Sequence, residues 1–233
     1  MLEIPPLPES TILLVEVGST AHGTGIPGAE DHDELGVVVE APADLVGLDD
    51  GGFRTVMQRT QPEGSPSGPG DVDRTLHSLR RFLRLAASGN PSVLMTLWAP
   101  VLHSTDLGEE LRELAPAFVG RHVIPRYRGY MESQAGKAAG KPKAAMHAAR
   151  LGYQAIELLT TRRLNLPIEG PATEWLRAVR RGEVDHDEWA ARLAQLDADL
   201  AAMAEDESIP AGPDRPAIEA WSVSAHRRWW DRG

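Results

Sequence analysis

VEVGSTAHGTGIPGAEDHDELGVVVE, residues 15–40, sets five glycines and the run Glu30-Asp31-His32-Asp33-Glu34 between two apolar segments. Residues 11–17, TILLVEV, read as a β-branched strand ending at Gly18, and residues 34–40, ELGVVVE, as the next strand. The stretch between them is rich in Gly and Pro and has no helical period, so it reads as a loop. What this loop is built to hold decides the fold.

Three familiar loops fail. A phosphate-binding P-loop has the glycine spacing of Gly18 and Gly23, but Thr24 stands where its lysine belongs and no helix follows. A dinucleotide fingerprint matches Gly23, Gly25 and Gly28, yet Pro27 and a strand follow in place of the helix whose N-terminus must face the pyrophosphate. A calcium loop opening at Asp31 has Leu35 and Pro42 at two ligand positions. What fits is a bend, Gly18-Ser19, closing one strand, and Asp31-x-Asp33 opening the next after eleven intervening residues. Residues two apart on a strand share a face, so Asp31 and Asp33 point together, with Leu35, Val37 and Val39 continuing that side into the core. Two adjacent carboxylates repel unless a cation lies between them, and a hard divalent ion suits their oxygens. The glycine admits close backbone approach, and the serine hydroxyl and amide can hold a phosphate oxygen. A plain polar turn uses the same residue types; the strand–loop–strand order of both pieces favours a functional site.

The 233 residues suffice for one large or two small domains. With no long uncharged apolar run, no basic and apolar leader and no cysteine, the chain is expected to be cytoplasmic, without membrane spans, disulfides or thiolate metal sites. A net charge of −10 argues against a broad non-specific nucleic-acid binder but leaves room for a local basic patch. Residues 53–59 are a weaker strand, 61–70 an exposed mobile segment, and DVDRTLHSL, 71–79, a strand running into a helix that buries Leu79, Phe82, Leu83 and Ala86. Asn90 caps a short helix over 91–98. Helices are expected near 107–118, 124–139, 142–162, 171–181, 185–204 and 216–230, the last folding back through Ile218, Trp221, Ala225 and Trp229. His186 belongs to a helix start, Asp185 with Glu188 forming a capping box.

Gly18-Ser19, eleven residues, then Asp31-x-Asp33 between two strands resembles the signature of the polymerase-β-type nucleotidyltransferase superfamily. The longer string, with Ala21 and Gly23 in the loop and LRRFLRLAASGNPSVLMTLW at 79–98, is similar to predicted bacterial and phage nucleotidyltransferases linked to RNA-repair polymerase-β proteins. KAAMHAARLGYQAIELL at 143–159 and AVRRGEVDHDEWAARL at 178–193 look like that family's C-terminal helices. The resemblance implies an α+β fold, a small mixed nucleotidyltransferase sheet flanked by helices, with a catalytic domain at 1–103 and a helical domain at 104–233. His32 departs from the aliphatic residue usual there and reads as a polar residue on the strand's solvent side.

The resemblance also implies a third carboxylate on a neighbouring strand. Asp73 has the implied spacing before Leu79, and Asp71 is the alternate. Asp31, Asp33 and Asp73 are then the catalytic ligands of Mg²⁺ (or Mn²⁺). The implied reaction is attack of an acceptor hydroxyl on the α-phosphorus of a nucleoside triphosphate, expelling pyrophosphate. Gly18 and Ser19 bind the nucleotide. Between Arg121 and Arg150 the only acid is Glu132, against Arg121, Arg126, Arg128, Lys137, Lys141, Lys143 and Arg150. Lys143, His147 and Arg150, at i, i+4 and i+7, share a helix face that could bind a triphosphate tail or an RNA end, or be a solvated basic face. The expected acceptor is an RNA or tRNA 3′ end. The alternatives are nucleotidylation of a protein or small molecule, or an inactive nucleotide-binding module.

Overall fold

The computed structural model describes residues 4–23, 32–48, 54–62, 65, 68 and 70–232. β1 (Thr11–Val17), β2 (His32–Val38), β3 (Thr55–Arg59), β4 (Val72–Ser78) and β5 (Val101–Ser104) form a sheet in the order β3-β4-β2-β1-β5. β2 and β4 pair in parallel and the other neighbours antiparallel, the mixed α+β architecture expected. The central strands are covered on both faces, which is why they read as continuous β-branched runs: Ile12, Leu13, Leu14 and Val15 are buried, as are Val37, Val38 and Val39. Leu14, Val38 and Leu76 form one cluster, with Leu7 packed on it.

The β2–β4 register is pinned from one side of the sheet. Glu34 lies opposite Arg74, and Arg74 Nε donates to Glu34 Oε2 at 2.6 Å with both side chains largely buried. Arg74 also donates to the Pro5 carbonyl at 2.9 Å. A one-residue slip would leave that guanidinium without its carboxylate, so the pair holds Asp33 opposite Asp73 on the other face.

The chain divides into two compact units that interleave in sequence. The first comprises Met1–Leu85, Ala99–Leu114 and Asp214–Gly233; the second comprises Ala86–Trp98 and Ala115–Pro213. The first unit contains the sheet, α1 (Gly18–Ala21), α2 (Pro42–Val46), most of α3 (Leu79–Ala87), α5 (Asp106–Glu113) and α10 (Arg215–Trp230). β5 was not foreseen: four residues long, with Val101 and Leu102 half-exposed, it exists by pairing with β1. α3 buries Leu79, Phe82, Leu83 and Ala86 as expected and exposes Arg80, Arg81 and Arg84. α10 does fold back, burying Ile218, Ala225 and His226. Trp221 Nε1 donates to Glu110 at 3.1 Å, and Trp230 Nε1 to the Glu40 carbonyl at 2.8 Å.

At the end of β2, Glu40 and His226 are both buried. His226 Nε2 lies 3.1 Å from Glu40 Oε2, and Nδ1 lies 2.8 Å from the Ser222 carbonyl. Both partners are acceptors, so both ring nitrogens are placed to donate, an arrangement that suits the protonated ring. Burial works against that charge, but the bonds to Glu40 and Ser222 outweigh it and raise the His226 pKa. Burial likewise opposes ionised Glu40, while hydrogen bonds from His226, Ser78 and the Arg80 amide bring its pKa below the usual value.

The second unit is helical: α4 (Pro91–Leu94), α6 (Ile124–Ala135), α7 (Pro142–Thr161), α8 (Pro171–Arg181) and α9 (His186–Ala204). α7 packs against α6, α8 and α9. Its small residues permit close approach; a Cβ on Gly152 would stand 3.0 Å from Leu196. Asn90 caps α4, its Oδ1 accepting from the amides of Ser92 and Val93. Asp185 Oδ1 accepts from the Glu188 amide at 2.8 Å, so His186 is a first-turn residue. No helix among the described residues is long and apolar enough to cross a membrane.

Candidate functional site

One row across the sheet collects the first unit's candidate residues. Reading from the β3 edge it runs Arg59, Asp73, Asp33, Val17, each opposite the next on the neighbouring strand. Asp33 and Asp73 are in register on parallel strands, so both side chains leave the same face with backbones about 4.8 Å apart. Gly18 follows Val17 directly. Its φ of +74° turns the chain off β1 into the single helical turn of α1, a finding against the plain loop expected there. A Cβ on Gly18 would collide with Asp33 Oδ2 and come within 3.0 Å of Asp33 Cγ. The missing side chain is the space in which the Asp33 carboxylate lies. Ser19 follows on α1, half-exposed.

Asp73 is not alone. Arg59 Nε donates to its Oδ1 at 2.6 Å and Arg59 Nη2 to its Oδ2 at 3.3 Å, while Gln61 Nε2 donates to Oδ1 at 2.9 Å. The bond to Asp73 holds the Arg59 pKa above its usual range, with further attraction from Asp73 and Asp71. Neither Arg59 nor Gln61 was singled out in the sequence. The weak alternation of TVMQR hid the cross-strand pairing. Gln61 is buried, a correction to the exposed segment expected from residue 61; its bond to Asp73 draws it in, and much of 61–70 lies outside the described residues.

Asp71 has other work. Its Oδ1 accepts from Thr60 Oγ1 at 3.1 Å and its Oδ2 from the Gly68 amide at 2.9 Å, bonds that shape the turn before β4. His32 is half-exposed, its Nδ1 3.3 Å from Glu16 Oε1. Asp31 lies outside the described residues. Among the described residues no group of three His, Cys, Asp or Glu side chains could hold a metal ion. The donors present suit a hard divalent cation: two side-by-side carboxylates, no thiolate, and a backbone notch at Gly18.

Lys143, His147 and Arg150 lie on α7 in the second unit. Lys143 is exposed, while His147 and Arg150 are half-buried. The basic stretch around them is thinner than its sequence, because Arg128 is spent on Asp197 at 2.6 and 2.7 Å and Arg121 donates to the Ala204 carbonyl.

Residues 7–214 match the RNA repair pathway DNA polymerase beta family, and the chain belongs to that family: it is a polymerase-β-type nucleotidyltransferase. No curated protein matches it. Among solved structures it is similar to a nucleotidyltransferase-like protein from Exiguobacterium sibiricum 255-15, at 8% identity and a TM-score of 0.31, over 84% of this chain and 69% of that one.

Two expected results test the carboxylate row. Gly18→Ala displaces the Asp33 side chain and strains a positive-φ position, costing ~1–2 kcal/mol of stability. The loss of nucleotidyl transfer is expected to exceed what that destabilisation explains, and thermal melts beside a turnover assay test it. Arg59→Met removes the cation that neutralises Asp73 and raises Mn²⁺ affinity by about fivefold, the upper worth of a partly exposed ion pair. Isothermal titration with Mn²⁺ reads this without reference to activity.

Proposed function

We propose that the protein transfers a nucleoside monophosphate from a nucleoside triphosphate to a hydroxyl at an RNA 3′ end, tRNA included, with Asp31, Asp33 and Asp73 holding Mg²⁺ or Mn²⁺. The observation that carries this reading is the in-register pairing of Asp33 with Asp73 beside Gly18, on adjacent strands of the sheet. Bound there, the divalent metal supplies charge for the phosphate oxygens and a more acidic attacking hydroxyl. The chain's own groups align and neutralise. Asp73 accepts the proton of the acceptor hydroxyl, whose oxygen bonds to the α-phosphorus as the bond to the leaving pyrophosphate breaks. Ser19, carried by the turn that Gly18 makes, offers its hydroxyl and amide to a phosphate oxygen. Within the second unit, Lys143, His147 and Arg150 are separate candidates for binding phosphate. The protein's contribution is orientation and field more than covalent chemistry.

An RNA acceptor is supported by the family's description and by exposed Arg126, Lys137, Lys141 and Lys143 in an otherwise acidic chain. The test is incubation with each labelled nucleoside triphosphate, Mg²⁺ or Mn²⁺, and either tRNA or cell lysate. Label in RNA is the expected result. Label in a protein band moves the acceptor to polypeptide. No label in any fraction, with either metal, overturns the transferase reading.

A further inference from the structure

Arg150 and Arg180 differ from two arginines that flank Arg180 on α8. On α8, Arg177 pairs with Glu174 at 2.5 Å, and Arg181 pairs with Glu183 at 2.6 and 2.7 Å. Arg180, between them, has its Nε enclosed with no hydrogen-bond partner. Arg150 on α7 is in the same condition. An enclosed N–H with no acceptor keeps its desolvation cost, and each of these half-buried arginines has one. The chain has 34 Asp and Glu residues and a net charge of −10, so acidic partners are not scarce.

These two arginines have cationic company. Lys143, His147 and Arg150 share one face of α7, and the charges of Lys143 and Arg180 both act on His147. Burial first, and then those two charges, push the His147 pKa down to about 4. Burial alone brings Arg150 down to about 10. No carboxylate is among the causes for either group. Lys143 and Arg180 disfavour a charge on His147, and burial disfavours one on Arg150; a multiply charged anion relieves both.

We propose that Lys143, His147, Arg150 and Arg180 form a phosphate-binding cluster within the helical unit, made to take a polyphosphate or the phosphates of a nucleic-acid strand. Two guanidinium forks suit the paired oxygens of phosphate, and the flexible Lys143 adds a point charge at the exposed edge. The choice of ligand rests on the nucleotidyl-transfer reading, while the cluster belongs to the second unit alone. Arg180 is the member that spacing along one helix could not supply.

The probe is inorganic tripolyphosphate, titrated calorimetrically into the full chain in EDTA, where no divalent ion can bridge it to the carboxylates. The wild type is expected to bind it. Arg150→Met with Arg180→Met weakens binding by about tenfold or more, and Asp33→Asn binds as the wild type does. Equal binding by the double variant, or no binding by the wild type, overturns the cluster. If the double variant fails to fold, NMR titration of the His147 ring in the wild type decides. Tripolyphosphate raises its pKa if the cluster holds the probe, and an unmoved His147 overturns the proposal. Competition separates the two phosphate sources: displacement by ATP assigns the cluster to a nucleotide tail, displacement by a short RNA assigns it to a strand, and displacement by neither sinks it. A chain that binds tripolyphosphate but fails to transfer label in any condition refutes the carboxylate reading and leaves the cluster standing.

Discussion

Asp33→Asn leaves the sheet folded and lowers nucleotidyl transfer by about 10³-fold or more, the scale set by several kcal/mol of lost metal-borne charge stabilisation. The substitution keeps the shape of the side chain that lies in the Gly18 notch and removes only its charge. Asp33 is half-buried beside the edge of the core, and the strand around it is fixed by pairing with β1 and β4. A melting temperature near that of the wild type is therefore expected alongside the lost activity. Asp71→Asn is the informative control. Asp71 is occupied by Thr60 and the Gly68 amide, so its loss loosens a turn and transfer persists. Wild-type turnover in Asp33→Asn, or equal loss in both variants, contradicts the assignment of the row.

Glu40→Ala has the largest expected effect on stability, about 3–5 kcal/mol. It strands the His226 imidazolium, the Arg80 amide and the Ser78 hydroxyl in a buried setting. The same pair makes stability depend on pH from both sides. Ionised Glu40, its pKa lowered on folding, contributes stability that is present above 4.5 and lost as pH falls through the folded value. Protonated His226, its pKa raised, contributes stability that is full below 6.5 and lost as pH rises through the folded value. The pair therefore helps most between 4.5 and 6.5. Urea melts across pH should show the wild type losing its advantage over Glu40→Ala at the alkaline and acid ends. A constant difference between the two proteins contradicts the coupling.

What the sequence announced was whatever repeats locally. β1 and β2 declared themselves through apolar runs rich in β-branched residues, because burial on both faces leaves little room for polar residues. α3 showed its apolar stripe, and the caps at Asn90 and Asp185 were legible because a cap acts within three residues. β5 was not legible; a four-residue edge strand has no alternation of its own and is made by a partner nearly ninety residues away. For the same reason Arg59 and Gln61 escaped notice, as did the Glu40–His226 pair, separated by 186 positions. Lys143, His147 and Arg150 could be aligned by helical spacing, yet their burial and the presence of Arg180 depend on the packing of α8. The spacing that singled out Asp33 and Asp73 could not pair them, while the register locked by Glu34 and Arg74 puts them opposite each other.

The interleaving of the two units has a consequence for synthesis. A ribosome delivers all of the helical unit by residue 213, while the unit bearing the sheet still awaits the segment from 214 onward. Until His226 emerges, Glu40 has no imidazolium, and α5 lacks Trp221 and Arg228. The older half of the nascent polypeptide thus matures last, and a stop codon shortly after position 213 yields a finished helical body carrying an unsealed sheet.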